Sequence, residues 1–214
     1  MKKKLIIFSA ISLVLIATIV ALLLFFPRQE PIVVAVGDIE ISESELSLSM
    51  LERSVMNAEQ IEVENAAYRI VAYRMAEEAL IGTMYEFTSD DRATIIRNVT
   101  ESFGIDEERN LELVASLGIT RDELIEIVIL ASINGEIAAR HVSFVFDDLA
   151  IWYEQRHGVP LELDGRIIEI HDEFMLEKVS SLSYSELNPS ALQSIVERAN
   201  AVHDHAIEVH ENFF

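Results

Sequence analysis

The first hydrophobic pattern in the chain is an apolar segment at its beginning. Residues 5–26 carry no charge, whereas Lys2, Lys3 and Lys4 precede them and Arg28 follows them. At about 1.5 Å of rise per residue, a helix of this length is roughly 33 Å long and can cross a hydrocarbon core of about 30 Å. The pattern therefore predicts a membrane-spanning helix.

Two interpretations of this segment differ in whether it is removed. A cleaved secretory signal has a shorter apolar region, of about 7 to 15 residues, followed by small residues. The segment here is longer and ends in Phe25 and Phe26, which favours an uncleaved signal anchor over a cleaved signal. Because basic residues near a span resist translocation, we expect a cytoplasmic tail at residues 1–4, the transmembrane anchor at 5–26, and one extracytoplasmic domain at 29–214.

After the span, alternating apolar and polar positions predict a short β-hairpin. Residues 32–36 are mostly β-branched, residues 37–38 are a Gly-Asp turn signal, and isoleucine alternates with glutamate in residues 39–41. Ser42 and Glu45 then have the spacing of a capping box, in which each side chain bonds an otherwise free backbone N–H. This spacing predicts that the first helix of the domain begins at about residue 43.

Apolar residues repeat every three or four positions through most of the remaining chain, which predicts a mainly α-helical domain. One helical pattern runs from about residue 63 to 87, and further helices follow to about 103 and 117. A second capping box, Thr120 with Glu123, opens a helix that is apolar nearly all round, as is typical of a central buried helix.

The region after this helix contains one ambiguous segment. Residues 144–157 have a helical pattern, and helix resumes from about residue 174 to 182. Between them, residues 159–170 fit either a hairpin around Asp164-Gly165 or the start of the next helix. Both alternatives stay open on the sequence alone.

The last helix carries a continuous apolar seam over three heptads. Its positions are Leu192, Ile195, Ala199, Val202, Ala206, Val209 and Phe213. Such a seam can dock on the helix's own domain, which is the commoner arrangement, or it can build a homodimer with a second copy. The sequence favours docking and leaves the homodimer as the alternative.

Composition and charge exclude several classes of protein. The 214 residues contain no cysteine, which excludes a disulfide framework, a zinc-thiolate site and a thiol enzyme. The chain has 16 basic and 37 acidic residues; without the four basic residues that flank the span, 12 remain against 37, a net charge of −25. A domain with this charge is repelled by nucleic acid, so we expect no nucleic-acid partner.

Catalytic and metal-binding patterns are also missing from the sequence. It has no G-x-S-x-G elbow, no H-E-x-x-H and no phosphate-binding glycine loop. His203 and His210 are about 10.5 Å apart along a helix and cannot share an ion. His205 and Glu208 would supply only two ligands, whereas a zinc site needs at least three. We therefore expect no enzymatic activity, no metal and no cofactor.

Two motifs together resemble the N-terminal chaperone domain of SurA/PrsA-type extracytoplasmic foldases, which is related to trigger-factor-like modules. The first is the hairpin and cap VVAVGDIEISESEL, and the second is LELVASLGITRDELIEIV. The resemblance covers roughly residues 32–156. It implies a SurA-N-like fold with a short hairpin and a C-terminal helix that packs back on the domain. The parvulin isomerase domain of many relatives is absent, because only 24 residues separate His141 from Arg166.

The resemblance implies a membrane-anchored chaperone-like protein that holds non-native secreted polypeptides without catalysis. Two stripes of aromatic, methionine and leucine residues are candidate client-binding surfaces. They are Tyr73, Leu80, Met84 and Phe87 in the first stripe, and Phe146, Trp152 and Tyr153 in the second. The alternative for each residue is a place in the core, which the sequence favours, because helical spacing does not show which face stays open. The negative charge should favour clients rich in lysine and arginine. The alternative is a tethered structural or regulatory protein that binds one specific partner, by its last helix for example.

Overall fold

The computed structural model describes residues 30–57, 59–105, 107–162 and 165–213, and eight α-helices occupy most of them. The predicted anchor and tail lie outside the described residues. Residues from Ile32 onward form one unit, and the predicted mainly helical fold is confirmed. The helices are α1 (Glu43–Asn57), α2 (Val63–Leu80), α3 (Ser89–Ile105), α4 (Glu107–Leu117), α5 (Arg121–Phe144), α6 (Phe146–His157), α7 (Ile167–Val179) and α8 (Pro189–Phe213).

A small antiparallel sheet contains the predicted hairpin. Strands β1 (Ile32–Val36) and β2 (Ile39–Ser42) pair through a turn at Gly37, whose φ of 58° suits glycine. A third strand, β3 (Tyr184–Glu186), pairs with the other edge of β1 and gives the order β2-β1-β3. The sequence analysis missed β3 because three residues are too few to show alternation.

The two predicted capping boxes form to different extents. At α5, the Glu123 N–H donates to Thr120 Oγ1 over 3.2 Å, and the Thr120 N–H donates to Glu123 Oε2 over 2.6 Å. At α1, the Glu45 N–H donates to Ser42 Oγ over 3.4 Å. The Glu45 carboxylate instead accepts from Arg74 Nη2 of α2, at 2.5 Å. A tertiary ion pair has therefore replaced the second half of this box.

Two predicted boundaries need correction. The pattern from residue 63 to 87 is not one helix, because α2 ends at Leu80, where the backbone N–H and hydroxyl of Thr83 both bond the Leu80 carbonyl. Satisfying this carbonyl closes the helix, and Phe87 lies in the following loop. In the ambiguous segment, α7 begins at Ile167 and the described residues of 159–170 contain no strand.

Helix α8 docks on its own domain through the predicted seam. Leu192, Ile195 and Ala199 are buried in the core beside the sheet, and Val202 and Ala206 are buried in a second core with α1, α4 and α5. The seam therefore packs within the chain. A homodimer would need another surface or the release of α8.

Helix α5 is the central helix of the domain. Among the described residues it is also the one helix long and apolar enough to cross a membrane, by length and composition alone. It contacts α1, α2, α3 and α7, and Ile127, Ile133 and Ile137 are buried in these contacts. A third of the residues in its most apolar stretch are buried in the domain, so these contacts account for part of its apolar composition.

Candidate functional site

A largely apolar cleft of about 590 Å³ opens between α1, α3, α4, α5 and α8. This volume lies within the range of roughly 300–1,000 Å³ that is usual for ligand sites. Nine of its lining residues are apolar and five are polar. The apolar ones are Val55, Met56, Val99, Phe103, Leu113, Leu117, Leu124, Val128 and Val209, and the polar ones are Asn98, Ser102, Arg109, Asn110 and Glu112.

The cleft exists because α3 and α4 are attached to the domain by few buried residues. Helix α3 packs on α5 and helix α4 packs mainly on α8, so the two diverge. Each contributes one fully buried side chain, Phe103 from α3 and Leu117 from α4. Of their other apolar residues, Ile95 and Val114 are partly buried against the two cores, Val99 and Leu113 line the cleft, and Ile96, Ile105 and Leu111 are exposed. An amphipathic helix whose apolar side is only partly covered by its own chain provides a surface for a partner.

The junction of α3 and α4 is held by contacts at Phe103. The Asn110 side chain donates to the Phe103 carbonyl over 3.0 Å, which satisfies a backbone oxygen near the end of α3. The Arg121 guanidinium lies over the Phe103 ring, 5.1 Å from its centroid. These contacts position one wall of the cleft relative to the start of α5.

Exposed apolar side chains lie in the cleft lining and on helix α4, which forms one of its walls. Met56, which lines the cleft at the end of α1, is 43% exposed, and Leu111 of α4 is 45% exposed. Val99, Leu113 and Val128 are half-buried in the cleft wall. The free energy of such side chains falls when a partner removes them from water, by about 25 cal/mol per Å² of apolar surface.

The first predicted client-binding stripe does not line this cleft. Leu80 is fully buried, and Phe87 is buried between the guanidinium groups of Arg92 and Arg140. Tyr73 is half-buried and its hydroxyl is hydrogen-bonded, whereas Met84 is 88% exposed. These four residues do not form one surface, because α2 ends before Met84 and Phe87.

The second predicted stripe lies on α6, also away from the cleft. Phe146, Trp152 and Tyr153 are half-buried and pack against the core. The Trp152 ring makes an edge contact with Phe174 at 5.5 Å between centroids. Both stripes were predicted from their aromatic and methionine residues, whereas the residues that line the cleft are mostly aliphatic. The available signal was the pair of consecutive amphipathic helices, α3 and α4, whose apolar residues are mostly aliphatic.

A second, polar pocket of about 220 Å³ lies between α1, α2, α3 and α5 and adjoins a buried row of titratable groups. Arg69 Nη1 and the Tyr73 hydroxyl each donate to the Asp172 carboxylate over 2.8 Å. His171 Nδ1 lies 3.8 Å from the same carboxylate and has no hydrogen-bond partner. His171 Nε2 and His141 Nδ1 are 2.8 Å apart and share one hydrogen bond. The row joins α2, α7 and α5.

Burial has the largest single effect on the pKa values in and beside this row, and interactions with neighbouring groups come second. Burial raises the pKa of Glu52, which lines the polar pocket, and outweighs the charges of Arg69 and Arg53. Burial alone would raise the pKa of Asp172 too, but His171, Arg69 and the Tyr73 hydroxyl stabilise the carboxylate and hold its pKa below the usual range. The row thus consists of the ion pair between Arg69 and Asp172 and, next to it, the hydrogen-bonded pair of His171 and His141.

The histidine pair predicts loss of stability in acid. Burial, with smaller effects of His171 and Lys178, lowers the pKa of His141 from 6.5 to about 4. The imidazole of His141 binds a proton more readily in the unfolded chain than in the folded one. The stability that neutral His141 contributes to the fold is therefore complete above about pH 6.5 and is lost as the pH falls through about 4. We expect this group to remove roughly 3 kcal/mol of unfolding free energy between pH 7 and pH 4.

Urea unfolding at several pH values, followed by fluorescence of the single tryptophan, measures this effect. His141→Phe should be less stable at pH 7, because it leaves a buried His171 nitrogen without its partner. Its stability should nevertheless fall less steeply than that of the wild type between pH 7 and pH 4.5. Glu52, with its raised pKa, acts in the opposite direction in both proteins. Equal slopes in the two proteins would contradict the expectation.

Metal binding finds no support in the described residues, where no group of three histidine, aspartate or glutamate side chains could hold an ion. His203 lies 3.7 Å from Asp204, and the His205 ring packs near Gly118. The helical spacing of these histidines does not bring a third ligand to either.

No protein-family model, curated protein or solved structure significantly matches this chain. The apolar cleft is therefore the observation from which a function is best argued.

Proposed function

We propose that this protein is a membrane-anchored, extracytoplasmic chaperone-like protein that binds apolar segments of non-native secreted polypeptides and catalyses no reaction. The observation that carries the proposal is the cleft between α1, α3, α4, α5 and α8, with its mainly aliphatic lining. Non-native chains expose apolar side chains that native proteins bury. A surface that covers such side chains reversibly slows their aggregation.

The construction of the cleft supports weak, reversible binding. Helices α3 and α4 each bury one side chain, so little buried surface opposes their movement. Adaptable walls suit a binder that must accept different sequences. Val99 and Leu113 are half-buried and line the cleft, so each leaves part of its side chain available for contact, although Leu113 also packs against the second core.

The resemblance of the hairpin and cap motifs to SurA/PrsA-type foldases supports the same proposal. The first motif forms a hairpin followed by a helix, and the second forms a helix, a glycine turn and a capped helix. The anchor at residues 5–26 would place the domain at the membrane surface, where secreted chains emerge unfolded.

Suppression of aggregation tests this proposal. The full chain, reconstituted in phosphatidylcholine nanodiscs, should reduce the light scattering of two unrelated denatured proteins as they are diluted into buffer. The effect should approach saturation near a one-to-one ratio, and empty nanodiscs should have no effect. If neither protein is protected, the chaperone proposal is wrong. A protein dedicated to one partner would give that result and would yield one crosslinked product.

A further inference from the structure

The chemistry of the cleft specifies the kind of segment that it can accept. We propose that its occupant is a cationic amphipathic helix, which inserts its apolar face into the cleft and places its basic residues against α4. This inference rests on the proposed function and adds the conformation and charge of the bound segment.

The first argument concerns the size of the cleft. One turn of helix, taken as a cylinder about 10 Å wide, fills roughly 400 Å³. The cleft of about 590 Å³ is therefore too small for a whole helix of several turns. It can accept the row of apolar side chains along one face of such a helix, while the opposite face remains in solvent.

The second argument concerns backbone hydrogen bonds. Every described lining residue belongs to a helix, so the walls present side chains and no strand edge. Of the polar lining groups, the Asn110 amide already donates to the Phe103 carbonyl. An extended segment would leave many N–H and C=O groups unpaired in an apolar site, at a cost of about 1–3 kcal/mol each. A helix satisfies these groups internally.

The third argument concerns the charge of helix α4, two of whose charged residues, Glu112 and Arg109, line the cleft. Helix α4 carries Glu107, Glu108 and Glu112, all exposed and without an ion pair or side-chain hydrogen bond among the described residues. Arg109 is the opposing charge on the same helix and is likewise unpaired there, so α4 has a net charge of −2. Lysine and arginine residues on a helix bound beside α4 would complement this net negative charge, and acidic residues would be repelled.

The conformation and the charge of the bound segment can be tested separately with three labelled peptides of about 14 residues. Each peptide is titrated with the full chain in phosphatidylcholine nanodiscs. The first has leucines at helical spacing and lysines elsewhere. The second has the same residues in strict alternation, which gives a strand-like amphipathic pattern. The third has the helical pattern with glutamate in place of lysine. Fluorescence anisotropy, corrected for empty nanodiscs, gives the three dissociation constants.

We expect the helical lysine peptide to bind about tenfold more tightly than either of the others at low ionic strength, and its advantage over the glutamate peptide to shrink in salt. The triple variant E107Q/E108Q/E112Q should lose most of the preference for lysine. The matched triple variant E162Q/E169Q/E173Q changes exposed carboxylates away from the cleft and should keep it.

The outcomes distinguish this inference from the proposed function. Equal binding of all three peptides overturns the inference and leaves the chaperone proposal standing. Failure of every peptide to bind, together with no protection of denatured proteins, overturns both. Crosslinked dimers of the full chain that Leu113→Gln abolishes would show that a second copy fills the cleft, which also overturns the inference. Circular dichroism checks that each variant remains folded.

Discussion

Replacing Asp172 with alanine is expected to lower the free energy of unfolding by about 3–5 kcal/mol. Asp172 is the shared acceptor for Arg69 and Tyr73, and the Arg69 side chain is only 9% exposed. Removal of the carboxylate leaves the buried Arg69 guanidinium and the half-buried Tyr73 hydroxyl without their shared partner. The lost Coulombic attraction is smaller than the cost of that uncompensated charge. Urea unfolding at pH 7 measures the change.

The neighbouring residue and a double variant provide the controls for Asp172. Glu173 follows on the same helix but is exposed, so Glu173→Ala should change stability by less than about 0.5 kcal/mol. In Arg69→Met/Asp172→Ala, the charge that D172A leaves unpaired is gone as well, so this double variant should regain much of the loss. A loss below 1 kcal/mol in D172A would contradict the buried ion pair.

Placing polar side chains in the cleft is expected to have the largest effect on function. Val99 and Leu113 line opposite helices of the cleft, α3 and α4, and are half-buried. Each would contribute about 1.5 kcal/mol to binding when a client covers it, which is about tenfold in affinity. V99Q/L113Q should therefore weaken binding of an apolar peptide by roughly hundredfold and abolish protection against aggregation.

An exposed apolar residue outside the cleft provides the matched control. Ile151 of α6 is 56% exposed and does not line the cleft, so I151Q should leave binding and protection unchanged. Unfolding curves should show V99Q/L113Q within about 1 kcal/mol of the wild type, because neither residue is fully buried. Unchanged protection in a folded V99Q/L113Q would mean that clients bind elsewhere, for example around the exposed Met84.

Local patterns in the sequence predicted much of the fold. The Gly-Asp turn predicted the β1–β2 hairpin, and Thr120 with Glu123 predicted the start of α5. Both are interactions between residues a few positions apart, so their geometry follows from spacing. The heptad seam of α8 predicted which residues are buried, since one face of a helix follows from its period.

Interactions between distant segments could not be predicted in this way. The shared hydrogen bond of His141 and His171 joins α5 to α7, and the Asp172 ion pair joins α7 to α2. Glu45 had the spacing for a reciprocal cap but pairs with Arg74 instead. In each case the partner is 29 or more residues away in sequence, and only the packing of helices brings the groups together.

The position of the cleft likewise could not be predicted from local patterns, because it depends on how the helices pack. Periodicity shows which face of α3 or α4 is apolar, but it cannot show how much of that face another helix covers. The seven residues selected for aromatic and methionine content are divided between core, loop and α6, whereas the aliphatic residues between α3 and α4 remain accessible. Side-chain identity and spacing determine where the helices form and which of their faces are apolar. Tertiary structure decides which of those faces are buried, because burial depends on the relative placement of whole helices. Here the placement of α3 and α4 leaves apolar residues between them accessible.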